Sequence, residues 1–103
     1  MISFVTVVFN DLTGLWKTIK SLDKLRALGV NFEHIVIDGG STDGTQAFIS
    51  TLKGSKPAFF LSENDDGIYD AMNKGLARIS GSYVNFLNAG DVLCHEGFEW
   101  VTF

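Results

Sequence analysis

Apolar runs alternate with amphipathic segments along the chain, and the alternation predicts the order βαβαβαβ. Four short runs rich in β-branched and aromatic residues predict strands over residues 2–9, 33–38, 58–61 and 82–87. Between them, apolar residues recur at intervals that suit one face of a helix. The first helix has Leu12, Leu15, Trp16, Ile19, Leu22 and Leu25 on that face; the second has Ala47, Phe48 and Leu52 and runs to about residue 53; the third has Ile68, Met72, Leu76 and Ile79.

Polar residues and glycines mark the expected ends of these helices. The pair Asn10-Asp11 breaks the first strand and can cap the first helix, which Gly29 is expected to end. Asp43 stands three residues before a glutamine, which is capping-box spacing for the second helix. Gly81 is the predicted stop of the third helix.

This pattern predicts an α/β fold in which a Rossmann-like parallel sheet carries helices on both faces. The simplest winding gives strand order 3-2-1-4, with the switch point between strands 1 and 4. Open α/β sheets bind ligands at the carboxyl ends of the strands at such a point. Asn10, Asp38 and Asp91 all fall at that edge. The sequence therefore predicts a binding site there, before any resemblance is considered.

The composition argues against a nucleic-acid-binding protein and against a membrane-spanning one. The 103 residues, predicted to form a single domain over 1–103, are 46% hydrophobic with a net charge of −4, and an acidic chain of this kind argues against a nucleic-acid partner. The single cysteine, Cys94, fits a reducing compartment and is expected to be a small buried residue. No apolar run approaches the roughly 20 residues of a membrane span, and Met1 leads directly into a strand. We therefore expect a cytoplasmic protein.

Carboxylates dominate the predicted crevice. Hard oxygen ligands suit Mg²⁺ or Mn²⁺, which usually bind one or two carboxylates together with substrate phosphates. Aspartate also caps helices and begins turns, and for Asp43, Asp65 and Asp66 that role is favoured. For Asp91, which follows a buried strand at the switch point, function is favoured. The acids concerned are Asp38, Asp43, Asp65, Asp66, Asp70 and Asp91.

Other side chains near this edge have two interpretations. Neither histidine has a partner at metal-ligand spacing, so each is expected to be either a surface residue or one whose hydrogen bonds are satisfied within the fold. Lys74 and Arg78 either reach a phosphate or interact favourably with the dipole at the carboxyl end of their helix. Phe9 and Tyr69 can stack on a base, although aromatic residues at such positions more often belong to the core.

The turn after the second strand is the most distinctive stretch of the chain. Asp38 ends the strand, and Gly39 and Gly40 follow it, so the backbone can turn tightly and be approached closely. The stretch is either a site of ligand contact or an ordinary connection from strand to helix.

Four motifs in a fixed order resemble a known family. They are TVVFN at 6–10, IDGGSTDGT at 37–45, DDGIYDAMNKGL at 65–76 and GSYVNFLNAGD at 81–91. Together they resemble the amino-terminal, nucleotide-binding half of a family-2 glycosyltransferase of the GT-A fold. The third motif is most similar to bacterial members that act in exopolysaccharide assembly.

The resemblance implies a nucleotide-diphosphate-sugar donor, either a UDP- or a GDP-sugar, and transfer of the sugar to a hydroxyl of a glycan or lipid-linked acceptor. It implies Mn²⁺ or Mg²⁺ on the diphosphate, held by Asp91 at the end of the fourth strand. It implies nucleotide-sugar contacts at Val8, Asn10, Asp38, Gly39, Asp66, Asp70, Asn73 and Gly90. Members of this kind also suggest a position at the inner face of the membrane.

Departures from the family pattern set further expectations. One acid of the pair after the second strand is replaced by Gly39, and the acidic signature after the fourth strand is reduced to Asp91. The acceptor half and its general base are absent, so we expect a truncated fold, no transfer by the isolated chain, and either self-association or a partner that supplies the missing half. A non-catalytic nucleotide-binding module is the alternative. A receiver-type signalling domain is excluded, because Leu61-Ser62 stands where its phospho-accepting aspartate is needed.

Overall fold

The computed structural model describes residues 1–54 and 56–90. Along these residues, strands and helices alternate in the predicted order. The elements are β1 (Ile2–Val8), α1 (Leu12–Ala27), β2 (Phe32–Asp38), α2 (Thr45–Thr51), β3 (Phe59–Ser62), α3 (Ile68–Leu76) and β4 (Tyr83–Phe86). Strand bounds lie within one residue of those predicted.

The four strands form one parallel sheet in the order β3-β2-β1-β4, as the sequence predicts. β1 and β2 pair along their whole length, from Ile2 opposite Phe32 to Val8 opposite Asp38. Every residue of β1 is buried. The strand at the centre therefore places its carboxyl end, and the loop that follows it, in the middle of one edge of the sheet.

The helices cover both faces of the sheet. α1 and α2 pack on the face that carries Val8 and Val36, where Leu15 and Ile49 complete the core. α3 packs on the opposite face against Val5, Ile37 and their neighbours. α3 comes close to the sheet because Gly75 has no side chain; a Cβ there would collide with Val5. The Rossmann-like architecture predicted from the sequence is confirmed.

The ends of α1 follow the sequence signals. The Asp11 carboxylate accepts a hydrogen bond from the Gly14 backbone N–H at 3.0 Å, which caps the helix. Gly29 follows the last turn with φ +81°, and its N–H donates to the Arg26 carbonyl at 3.1 Å. Glycine suits this left-handed position, so the chain turns into β2.

The other two helices differ from the predictions. α2 begins after Gly44, so the capping box proposed for Asp43 is wrong, and its buried apolar residue is Ile49 while Ala47 is exposed. α3 ends at Leu76, before Gly81. The Gly81 N–H instead donates to the Ser3 hydroxyl at 2.9 Å, which ties the entrance of β4 to β1.

Several residues predicted to be buried are exposed. Trp16, Ile68 and Leu76 are on the outer parts of their helices, because a short helix on an open sheet buries only a narrow strip. The fourth strand, predicted to be a buried strand, is exposed in part, since Tyr83 and Val84 are 50% and 39% exposed. β4 is an edge strand, and only β1 pairs with it among the described residues.

Some predictions lie outside the described residues: those for Asp91, Cys94 and the second histidine, His95. Within the described ranges, no helix is long and apolar enough to cross a membrane.

Candidate functional site

The loops after β1 and β2 are fastened together at the carboxyl edge of the sheet, around a buried carboxylate. Asp38 is fully buried. Its Oδ2 accepts hydrogen bonds from the Ser41 N–H at 3.0 Å and the Ser62 hydroxyl at 2.6 Å, and its Oδ1 accepts one from the Ser41 hydroxyl. Both carboxylate oxygens are therefore satisfied by the chain itself.

Asn10 connects the β1 loop to the same group. It has a positive φ of 49°, and its N–H donates to the Ser41 hydroxyl oxygen at 2.8 Å. Its side-chain Oδ1 accepts a hydrogen bond from the Thr42 N–H at 2.8 Å. We call Asn10, Asp38, Ser41 and Thr42 the loop corner, because together they set the relative position of two loops at this edge.

Asp43 extends the loop corner to α1. One carboxylate oxygen accepts from the Thr45 hydroxyl at 2.6 Å, and the other accepts from the Leu12 N–H at 3.0 Å. The Thr45 hydroxyl, followed by the Leu12 N–H, holds the pKa of Asp43 below its usual range. The aspartate therefore links loops, as the turn interpretation of this residue predicts.

The two glycines after Asp38 are required by another part of the chain. A Cβ on Gly39 would lie 2.8 Å from Oδ2 of Asp65, and one on Gly40 would collide with the Asn64 side chain. Gly40 also has φ +91°, which disfavours any other residue. The close approach predicted at this turn is therefore made by the loop that follows β3.

A cleft of about 370 Å³ lies at the switch point, between the end of β1, the start of α3 and the residues after β4. Its walls are largely apolar, and among the described residues that line it the charged groups are the carboxylates of Asp11 and Asp65. The lining residues are Val7, Val8, Phe9, Asp11, Asp65, Gly67, Ile68, Ala71, Asn88 and Ala89. The position agrees with the site that strand order alone predicts.

One aromatic side chain, Phe9, lines the cleft, and a second, Tyr69, is exposed nearby in the sequence. Phe9 is 63% exposed, and Tyr69, next to the lining residue Ile68, is 79% exposed. The interpretation of Phe9 and Tyr69 as core residues is wrong, because Phe9 follows the last residue of β1 and Tyr69 is in the exposed first turn of α3. Exposed aromatic rings at a cleft can stack on a flat ligand.

The chain leaving β4 is held against the start of α1. The Ala89 N–H donates to the Val7 carbonyl at 3.1 Å, and the Gly90 N–H donates to the Gly14 carbonyl at 2.9 Å. A Cβ on Gly90 would lie 3.9 Å from Oδ2 of Asp11. This brings the backbone immediately before residue 91 next to the carboxylate that lines the cleft.

The loop before α3 is organised by its own acids. Asp65 accepts a hydrogen bond from the Gly67 N–H at 3.0 Å, and Asp70 accepts one from the Asp66 N–H at 3.0 Å. The Asp66 N–H is the main cause of a lowered pKa at Asp70, with Lys74 contributing. Asp66 and Asp70 thus hold the loop that forms one wall of the cleft.

Lys74 and Arg78 interact with the chain itself. Lys74 forms ion pairs with Glu63 at 3.1 Å and Asp70 at 3.3 Å, and Glu63 is the main cause of its raised pKa. The Arg78 guanidinium lies 4.6 Å from the centre of the Phe59 ring. Neither side chain lines the cleft.

The predicted site residues therefore divide into groups. Val8 lines the cleft; Asn10, Asp38 and Gly39 belong to or adjoin the loop corner. Four predicted residues belong neither to the lining of the cleft nor to the loop corner: Asp66, Asp70, Asn73 and Gly90. No group of three or more metal-binding side chains occurs in the described part of the chain, and Asp91 lies outside it.

Sequence reasoning missed some residues of the cleft. Asp11 was assigned only to a helix cap, although a capping residue at the end of the central strand also stands at the switch point. Asn88 and Ala89 lie in the fourth motif, and their position directly after β4 was the available signal.

Comparison with known sequences identifies the family. The profile described as Glycosyl transferase family 2 matches residues 3–99. An uncharacterized glycosyltransferase of Mycobacterium tuberculosis is 48% identical over 92 residues, which are 87% of this chain and 34% of that protein. An uncharacterized glycosyltransferase of Rickettsia bellii is 31% identical over 95% of this chain and 14% of its own length. The chain thus spans about a third or less of the length of these relatives.

Solved structures share the fold. S. aureus TarS 1-349 in complex with UDP-GlcNAc superposes with a TM-score of 0.81 at 22% identity, over 98% of this chain and 30% of that one. The mannosyltransferase PcManGT from Pyrobaculum calidifontis, in complex with GDP-Man and Mn²⁺, gives a TM-score of 0.69 at 22% identity, over 86% of this chain and 27% of that one. The sheet therefore has the Rossmann-like architecture of the GT-A fold, and the chain belongs to glycosyltransferase family 2.

Proposed function

We propose that the cleft binds the donor of a glycosyl transfer, a nucleoside diphosphate sugar, and that the sugar passes to a hydroxyl of a glycan or lipid-linked acceptor. The observation that carries the proposal is the position of the cleft, at the switch point of a sheet whose family match covers residues 3–99. Relatives in fold bind UDP-GlcNAc and GDP-Man, which supports a UDP- or GDP-sugar.

The cleft suits the nucleoside end of such a donor. Phe9 offers an exposed ring at the mouth, and Val7, Val8 and Ala71 offer apolar walls. Asn88 contributes an amide that can donate and accept hydrogen bonds. We propose that the base stacks on Phe9, and that the loop corner keeps the β1 loop in position for it.

The diphosphate requires a cation in this setting. No lysine or arginine lines the cleft among the described residues, whereas Asp11 and Asp65 do, and two carboxylates would repel a diphosphate. An all-oxygen donor set of this kind fits Mn²⁺ or Mg²⁺. We propose that Asp91 holds the cation, with Asp11 as a second candidate because its carboxylate lies beside Gly90. A bound cation would neutralise charge that develops on the leaving diphosphate.

The remaining parts of the reaction are assigned to the two thirds or more of the relatives' length that this chain does not cover. We propose that the acceptor site and the base that deprotonates the acceptor hydroxyl lie there. The half-exposed Tyr83 on the edge strand β4 supports a further element, or a second molecule, pairing at this edge. Nucleotide sugars as donors support a cytoplasmic location.

Calorimetry with UDP and GDP tests the proposal. We expect binding in the presence of Mn²⁺, loss of binding with EDTA, and at least tenfold weaker binding for Asp91→Asn. Asp23→Asn removes an acid from the far part of α1 and is the matched control, which should bind normally. Equal affinity of Asp91→Asn and the unaltered protein in Mn²⁺ would contradict the metal role.

A transfer assay tests whether the protein is an enzyme, and light scattering tests whether it associates in solution. Donor consumption with a hydroxyl acceptor would distinguish an enzyme from a non-catalytic nucleotide-binding module. We expect no transfer by the 103-residue protein alone, and association in solution through β4. A monomer that transfers sugar would contradict both expectations.

A further inference from the structure

The outer surface of α1 has a composition that the donor site does not explain. Three lysines, a tryptophan and a leucine line the side of the helix turned away from the sheet, and no acid lies among them. Trp16 and Leu28 are 47% and 58% exposed. We call this set the α1 surface: Trp16, Lys17, Lys20, Lys24 and Leu28, all of them exposed.

The α1 surface follows from the helical repeat. The buried residues of α1, which include Leu15, Ile19 and Leu22, face the sheet, and the α1 surface occupies the opposite side. Its lysines form no ion pair within the described residues, whereas the flanking Arg26 and Asp23 pair with each other at 2.8 Å. Lys20 lies 5.5 Å from the centre of the Trp16 ring.

Charge is divided between the two faces of the sheet. α1 carries four of the eight basic residues and one of the twelve acids, in a chain whose net charge is −4. Exposed residues of α2, on the same face, carry no charge. On the opposite face, the acids Glu63, Asp65, Asp66 and Asp70 outnumber the two basic residues, Lys74 and Arg78. An anionic plane would therefore attract one face of the protein and repel the other.

We propose that the α1 surface docks this protein on an anionic lipid bilayer, with Trp16 and Leu28 at the headgroup level. Lysines near such a surface each strengthen binding roughly fivefold, and tryptophan is enriched at the interface between membrane and water. The occupant is a bilayer because the basic groups follow one outward side of a helix instead of lining a pocket. Docking uses no residue of the cleft, so it is independent of donor binding.

The test is co-sedimentation with vesicles of phosphatidylcholine alone or with 30% phosphatidylglycerol. We expect binding only to the anionic vesicles, weakened by 0.5 M salt. Lys20→Gln with Lys24→Gln should reduce binding about 30-fold, from roughly fivefold per lysine. Lys56→Gln with Arg78→Gln removes the same charge away from α1 and should reduce it far less.

A fluorescence measurement tests the orientation. In a Trp100→Phe background Trp16 is the only tryptophan, and its emission should shift to the blue with anionic vesicles and not with phosphatidylcholine. Calorimetry with UDP and Mn²⁺ on the same lysine variants should give unaltered affinity, which separates this surface from the cleft. Equal losses for the α1 pair and the control pair, no binding to anionic vesicles, or an unshifted Trp16 emission would each overturn the proposal.

Discussion

The loop corner and the cleft lie side by side at one edge of the sheet, and they use polar groups in opposite ways. In the loop corner, both oxygens of the buried Asp38 are occupied by groups of the chain itself. In the cleft, the exposed Phe9 and the carboxylates of Asp11 and Asp65 line open space. The polar residues that mark the family motif most strongly therefore hold the loops, and the surface open to a ligand is formed mainly by their less distinctive neighbours.

The reason is the cost of burial. A carboxylate removed from water is stable only when hydrogen bonds replace its hydration, and Asp38 has three of them. Once these bonds are made, the loops after β1, β2 and β3 have fixed positions. A rigid frame of this kind lets a cleft beside it keep its shape with few polar groups of its own.

Replacing Asp38 should have the largest effect on the frame. We expect Asp38→Ala to lower the free energy of unfolding by about 3 kcal/mol, because it leaves the hydroxyls of Ser41 and Ser62 and one N–H without their acceptor. Urea unfolding measures the change, and Asp66→Ala, at an exposed acid, should stay within about 0.5 kcal/mol. Unchanged stability with lost nucleotide affinity would make Asp38 a ligand contact instead.

A fall in pH tests the cost of burying a charge at His34, a buried and titratable residue of β2. Burial, helped by Arg26, lowers the pKa of His34 to about 3, and its Nε2 lies 2.7 Å from the Thr6 hydroxyl. The folded state therefore holds the neutral ring, and its stability is complete above pH 6.5. It should fall by about 1.4 kcal/mol per pH unit as pH drops from 6.5 toward 3. His34→Asn should show a shallower slope in urea unfolding; equal slopes would contradict the assignment.

Gly40 lies between the two regions and should give an intermediate effect. Gly40→Ala meets both a φ of +91° and the Asn64 side chain. Gly54→Ala, with φ +75° and open space around it, isolates the backbone cost, which is roughly 1 kcal/mol. We expect Gly40→Ala to destabilise by about 0.5 kcal/mol more than that control, because the exposed Asn64 side chain can rotate away from the new methyl group. Equal melting shifts would show that the two loops do not constrain each other.

Phe9 should give the smallest effect on stability and a clear effect on binding. Because its side chain is 63% exposed, Phe9→Ala should change the free energy of unfolding by less than about 0.5 kcal/mol. Loss of base stacking should weaken nucleotide affinity by about 5- to 100-fold. Trp16→Ala removes an exposed aromatic on the other face and should leave the affinity unaltered. A Phe9 variant with normal nucleotide affinity would show that the Phe9 ring does not stack on the base.

Much of the fold could be predicted because it depends on local pattern. The strands and helices could be predicted from apolar runs, helical spacing and the end signals at Asp11 and Gly29. The strand order could be predicted from the alternation of strands and helices with short connections. The errors occur where exposure depends on what lies opposite. Ile68 has helical spacing and β4 has apolar residues, but the described residues cover them only in part, so Ile68, Tyr83 and Val84 remain exposed.

The sequence by itself determined the sheet, its order and the edge that carries a site, because hydrophobic periodicity and strand connection lengths are encoded residue by residue. It also placed Asp38 and Asn10 at that edge. Only the tertiary structure decided which groups remain open, because the hydrogen bonds that Asn10 and Ser62 make with the turn after β2 join residues far apart in the chain. A residue cannot show from its own neighbours which partner it will meet. Asp38 was thereby enclosed, and Asp11, identified from the sequence only as a cap, came to line the cleft.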